Sequence, residues 1–127
     1  MAVKNDFLMN QVYDYARALG LLVFNKSDSR YDVEPEAIRM ELTESDFYEQ
    51  LKSMAREGKI NEAENLLLDT IDPSDKRNLE TALGFYTYIN SFSDEELEEN
   101  NYSREEIIDG LKMAARKFGV TGMEHII

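Results

Sequence analysis

Acidic side chains are the most abundant groups in this sequence that could do chemistry, with 26 Asp and Glu among 127 residues. Metal ligation needs several oxygens converging in one loop or on one helix face. Acid–base catalysis needs a carboxylate or histidine beside a group that tunes its proton affinity. Asp28, Asp32 and Glu34 share one polar stretch, but the central glycine and twelve-residue ligand pattern of an EF-hand are missing. No Glu-x-x-His pair is present to build a di-iron bundle. The single histidine, His125, stands in a segment with no evident partner and reads as a surface residue rather than a catalytic base. The six glycines are scattered and form no phosphate-binding loop. The chain has no cysteine, which excludes disulfides, thiolate metal sites and a cysteine nucleophile. The sequence therefore assigns no catalytic residue, no metal ligand and no cofactor. A carboxylate and tyrosine site between helices stays open as an alternative, because a buried carboxylate can serve as acid or base.

The net charge of −12 excludes the basic footprint that nucleic-acid binding requires. The charge is unevenly spread. Residues 1–33 carry four acids and four bases, whereas residues 94–109 carry eight acids against one base. Such acidity reads as a solvated surface, with a decoy for the DNA-binding face of a basic partner as a second alternative. The longest apolar run, Ala18 to Phe24, is too short to span a bilayer, so no membrane association is expected. Asp6 and Asp14 sit where a secretory signal would be basic, and the expected location is the cytoplasm.

Helical punctuation dominates the elements that would position these groups. Apolar residues at Leu8, Val12, Tyr15, Ala16, Leu19, Leu22 and Val23 form one stripe at about 100° per residue, predicting a helix over 6–24. A polar stretch from Asn25 to Asp32 breaks it, and Pro35 suits the first turn of a short segment reaching about Leu42. Thr43 is a suitable N-cap for a helix over 44–57, which Gly58 ends. Ala63, Leu67 and Ile71 share a face of a helix over 61–71, and Asp72-Pro73-Ser74 is turn chemistry. Leu79, Ala82, Leu83, Tyr86 and Ile89 mark a helix over 75–92, whose aromatic cluster Phe85, Tyr86, Tyr88 and Phe92 reads as core. Ser93 with Glu96 and Ser103 with Glu106 are two capping boxes, the second opening a helix over 104–118. Alternating β-branched runs are absent. The fold class is all-α, a single domain over 1–127 built as a compact bundle of five to six helices. Leu19, Leu51, Leu67, Leu83 and Leu111 are expected in its core.

The first helix is more apolar than one core contact requires. Met9, Tyr13, Gly20 and Phe24 extend its weakly polar arc to about 200°, and Phe7 and Leu21 lie further round. Such a helix is buried on two sides, either within its own chain or against a partner. Met9, Tyr13 and Phe24 are therefore a candidate association surface, with a two-fold homodimer in which Asp14 of one copy faces Arg17 of the other.

The stretch Phe47 to Ile71, with its turn Gly58-Lys59-Ile60-Asn61-Glu62-Ala63, resembles a tetratricopeptide repeat. Phe47 stands at the aromatic position, with Ala63 and Leu67 at the small and large positions of the second helix. Gln50, Leu51 and Met54 depart from the pattern, and no second copy follows one period (about 34 residues) later. A single repeat-like hairpin inside a bundle is expected. Three stretches also resemble a family of small uncharacterised helical proteins of low-GC Gram-positive bacteria. They are Asp6-Phe7-Leu8-Met9, the Gly58-to-Leu67 hairpin, and Ser93 to Leu97 followed by Tyr102 to Ile107. This resemblance implies a helical fold and carries no site residues. The function read from the sequence is unknown in its specifics; the leading expectation is a non-catalytic helical module that binds a protein partner or itself.

Overall fold

The computed structural model describes residues 2–25 and 46–120, with side chains described over 7–21 and 46–120. Six helices make up these residues: α1 (Ala2–Asn25), α2 (Asp46–Arg56), α3 (Ile60–Thr70), α4 (Lys76–Asn90), α5 (Asp94–Glu99) and α6 (Arg104–Lys117). Among the described residues there is no strand, and the all-α class holds. The short segment expected near Pro35 lies outside the described residues, as do Asp28, Asp32, Glu34 and His125.

Local chemistry sets the helix ends. Gly58 and Gly119 adopt left-handed φ of 84° and 71°, where an L side chain would be strained. After α2 and α6, the N–H groups of Lys59 and Val120 reach back to the carbonyls of Met54 and Ala115, both at 2.9 Å. The same arrangement closes α5 with a non-glycine residue: Asn101 takes φ 55° and the Tyr102 N–H donates to the Leu97 carbonyl at 2.9 Å. Asparagine tolerates this region, and its use here carried no sequence signal. Ser93 and Glu96 form a complete capping box. Ser103 accepts from the Glu106 N–H, but its hydroxyl takes the Glu106 carboxylate, so the second box is half formed.

α4 is the centre of the packing, lying against α1, α2 and α6, while α1 also packs against α6 and α2 against α3. The continuous core joins Val12, Tyr15, Ala16 and Leu19 of α1 to Leu51, Ala63, Leu67, Leu79, Phe85, Tyr86, Ile107 and Leu111. Of the five leucines expected inside, Leu19, Leu51, Leu67 and Leu111 are fully buried. Leu83 is not: it is half-buried at the edge of the α4 core face, because Ala82, Phe85 and Tyr86 occupy the interior. In the hairpin, Tyr48 rather than Phe47 is the buried aromatic, and its ring lies where a Cβ on Gly84 would come within 2.9 Å.

One helix start is capped from a distance. Lys59, the N-cap of α3, offers no side-chain acceptor. Instead the Asn100 side-chain oxygen accepts the Ile60 N–H at 3.3 Å, and Asn61 donates back to the Asn100 carbonyl at 3.0 Å. The α2–α3 turn is thereby tied to the loop between α5 and α6.

Candidate functional site

Two regions have the composition of a site: a buried carboxylate–tyrosine group, and the outer face of α1. The first is assembled by α3, α4 and α6. Gly110 in α6 leaves the room that the Tyr86 ring fills; a Cβ there would lie 2.5 Å from that ring. The phenol donates to Glu64 Oε2 of α3 at 2.8 Å. Tyr102 is buried, and its hydroxyl is directed toward the same carboxylate without reaching full hydrogen-bond geometry.

Burial pushes the Glu64 carboxyl above its ordinary value of 4.5; the Tyr86 and Tyr102 hydroxyls pull it down, while Glu106 and Asp109 nearby push it further up. Burial and the Glu64 charge raise both phenols far above their ordinary range, so they remain protonated donors at any physiological pH. Tyr86 thus ties α4 to α3 through one charge-assisted bond, while its ring packs against α6 at Gly110. Tyr86 is itself core, in edge-to-face contact with Phe85 at 5.4 Å between centroids.

The rest of the aromatic cluster has a different role. Tyr88 and Phe92 are half-buried and meet edge to face at 5.4 Å. The Lys52 ammonium lies 4.8 Å from the Tyr48 ring and 5.5 Å from the Tyr88 ring, and Arg56 Nη1 donates to the Tyr88 hydroxyl at 3.3 Å. These cations fasten α2 to α4 through ring faces and a phenol oxygen. Buried polar groups hold the same C-terminal end of α4. Asn90 donates to the Met9 carbonyl of α1 at 3.0 Å, and the buried Arg104 donates to the Phe92 carbonyl at 2.8 Å and meets Asp94 at 3.4 Å.

The outer face of α1 is the second region. Phe7 is 62% exposed, Leu21 53% and Tyr13 39%. Met9 is half-buried, and the side chain of Phe24 lies outside the described residues. Three of the four large hydrophobic side chains exposed among the described residues are therefore on this helix; the fourth, Met113, is on α6, which packs beside it. Between Phe7 and Leu21 the same face carries Asn10, Asp14 and Arg17, the last two in a loose 3.9 Å pair within the helix. The sequence pointed to this helix through Met9, Tyr13 and Phe24; Phe7 and Leu21, further round the wheel, are the more exposed.

Among the described residues, no group of three or more His, Asp or Glu side chains is placed to hold a metal ion. No helix among them is long and apolar enough to cross a membrane.

No curated protein and no solved structure matches this sequence. A family model does match, over residues 2–119, from the start of α1 to the glycine that ends α6. The chain belongs to the family of unknown function DUF6483.

Proposed function

We propose that the protein is a non-catalytic helical module that docks a protein partner on the outer face of α1. The observation that carries this reading is the exposure of Phe7, Tyr13 and Leu21 on a helix whose other face is fully committed to the core. Isolated exposed apolar residues are ordinary, but three of the four large ones exposed among the described residues lie on this one helix, with Met113 on the helix packed beside it, and this concentration supports an interaction surface. The likeness of the α2–α3 hairpin to a tetratricopeptide repeat is in keeping with a scaffold role. A cysteine-free acidic chain is in keeping with a bacterial cytoplasmic setting.

Site-specific photo-crosslinking in the producing cells tests the reading. A photoreactive residue at position 21 or 13 should give a discrete protein adduct, and the same residue at the exposed Asp69 of α3 should not. Equal labelling from all three positions would overturn it.

A second reading places a small polar ligand at Glu64. It rests on the buried Tyr102 hydroxyl, which completes no hydrogen bond although a carboxylate stands beside it. Chemical-shift perturbation of Tyr86 and Tyr102 by a small-molecule library would support this reading, and no response would remove it.

A further inference from the structure

We infer that the partner on α1 is a second copy of this chain, paired antiparallel about a two-fold axis that passes between residues 15 and 16. The inference rests on the docking reading above and adds the occupant and its register.

Positions 7, 10, 14, 17, 21 and 24 recur at alternating steps of three and four along α1, which places them in one seam on a single helix face. Five of these six have described side chains, and they include the two most exposed apolar residues of the helix, Phe7 and Leu21. Asn10, Asp14 and Arg17, exposed between them, share the seam. The core-facing residues Val12, Tyr15, Ala16 and Leu19 lie on the opposite side, so pairing along the seam leaves the core untouched.

Charge decides between a second copy and another occupant. α1 contains Lys4, Asp6, Asp14 and Arg17 and is neutral, on a chain of net charge −12. Two copies of so acidic a chain repel across most of their surface, and a neutral helix lets them approach.

The order of charges then sets direction and register. A parallel in-register pair would put Asp14 against Asp14 and Arg17 against Arg17. The antiparallel pair centred between 15 and 16 puts each Asp14 against the second copy's Arg17, twice by symmetry. Each side chain meets its opposite charge across the seam at the cost of only the loose 3.9 Å pair within its own helix. The same axis sets position 7 opposite position 24 and position 10 opposite position 21 along the helix. The apolar positions thus lie toward the ends of the seam and the complementary charges at its centre. Tyr13, one turn before Arg17, borders that centre.

The chain has no cysteine, so a single introduced thiol reports its own position. Asn10→Cys and Leu21→Cys proteins, mixed and oxidised, should form a mixed disulfide dimer, and neither should form a disulfide dimer alone. In this register two copies of position 10 lie about 16 Å apart along the helix axis, beyond the roughly 7 Å that a disulfide spans between α-carbons. In parallel, Asp14→Arg and Arg17→Asp should each weaken dimerisation at least about tenfold in sedimentation, since each creates two like-charge contacts. An equimolar mixture of the two should regain the dimer, and far-ultraviolet circular dichroism checks that each variant remains folded. A disulfide between identical positions would overturn the register. A monomeric unmodified protein at tens of micromolar would overturn the second copy as occupant; the docking reading would then rest on whether position 21 crosslinks to a different protein. If Leu21→Cys fails to fold, the charge-reversal pair decides the proposal alone.

Discussion

α1 and α4 are both long and rich in apolar residues, yet they occupy opposite kinds of place. α4 is enclosed by α1, α2 and α6, and it buries Leu79, Thr81, Ala82, Phe85, Tyr86, Ile89 and Asn90 over about half of its circumference at 100° per residue. α1 touches α4 and α6, buries one stripe and leaves Phe7, Tyr13 and Leu21 in solvent. Apolar width alone does not place a helix; the number of neighbours its own chain can supply does. Where the chain supplies enough, as for α4, the extra width becomes core. Where the described residues do not, as for α1, the remainder is exposed among them.

The sharpest break of this comparison uses two leucines two residues apart. Leu19→Ala should cost about 2–5 kcal/mol in urea unfolding, because it removes a fully buried side chain and leaves a cavity. Leu21→Ala, measured at concentrations low enough to keep the chain monomeric, should fall within about 0.5 kcal/mol of the unmodified protein. A large loss at position 21 would mean that α1 is enclosed as α4 is.

The next effect concerns how α4 is enclosed. Gly110→Ala places a methyl group 2.5 Å from the Tyr86 ring, and overpacking of this kind should cost about 1–3 kcal/mol. A neutral outcome in thermal unfolding would show that α6 can move away from α4 freely.

Asn100→Ala should cost about 1 kcal/mol, the usual loss for removing an N-cap acceptor, although it acts on α3 from 40 residues away. Amide exchange at Ile60 should rise more than at other sites in α3, and an unchanged Ile60 would show that the remote cap contributes nothing.

The smallest effect is on pH dependence. Glu64 titrates above its ordinary 4.5 in the folded chain, so the folded state holds that proton more tightly than the unfolded state does. Its stabilising contribution is present below 4.5 and is lost as pH rises through the raised value. Glu64→Gln keeps an oxygen for the Tyr86 hydroxyl and removes the titration. The stability gained by the variant relative to the unmodified protein should therefore grow from about pH 4.5 upward and then level off. A difference that shrinks with rising pH would reverse the sign assigned to Glu64, which faces Tyr86, Tyr102, Glu106 and Asp109.

Much of the architecture was legible in the sequence because helix signals are local. The stripe from Leu8 to Val23, the caps at Ser93 and Ser103 and the glycines at 58 and 119 each act over a few residues. What escaped the sequence is what depends on distant neighbours. Asn100 caps α3 from another loop, Tyr48 displaces Phe47 as the buried aromatic because Gly84 makes room for it, and Gly110 does the same for Tyr86. Glu64 carried no signal at all, since its meeting with two tyrosines requires α3, α4 and the α5–α6 loop to be in place. For α1 the sequence found the surplus of apolar residues and named Met9, Tyr13 and Phe24. It could not rank them against Phe7 and Leu21, because the ranking depends on how α4 and α6 approach.

The most direct test of the central claim, that the outer face of α1 is an interface rather than a part of the core, is sedimentation equilibrium of the unmodified protein beside the Phe7→Glu/Leu21→Glu double variant. The account predicts a dimer mass for the first, and for the second a monomer with unchanged helical signal and unchanged unfolding midpoint at low concentration. Loss of the fold in the double variant would contradict it, and the same mass for both proteins would remove a second copy as the occupant.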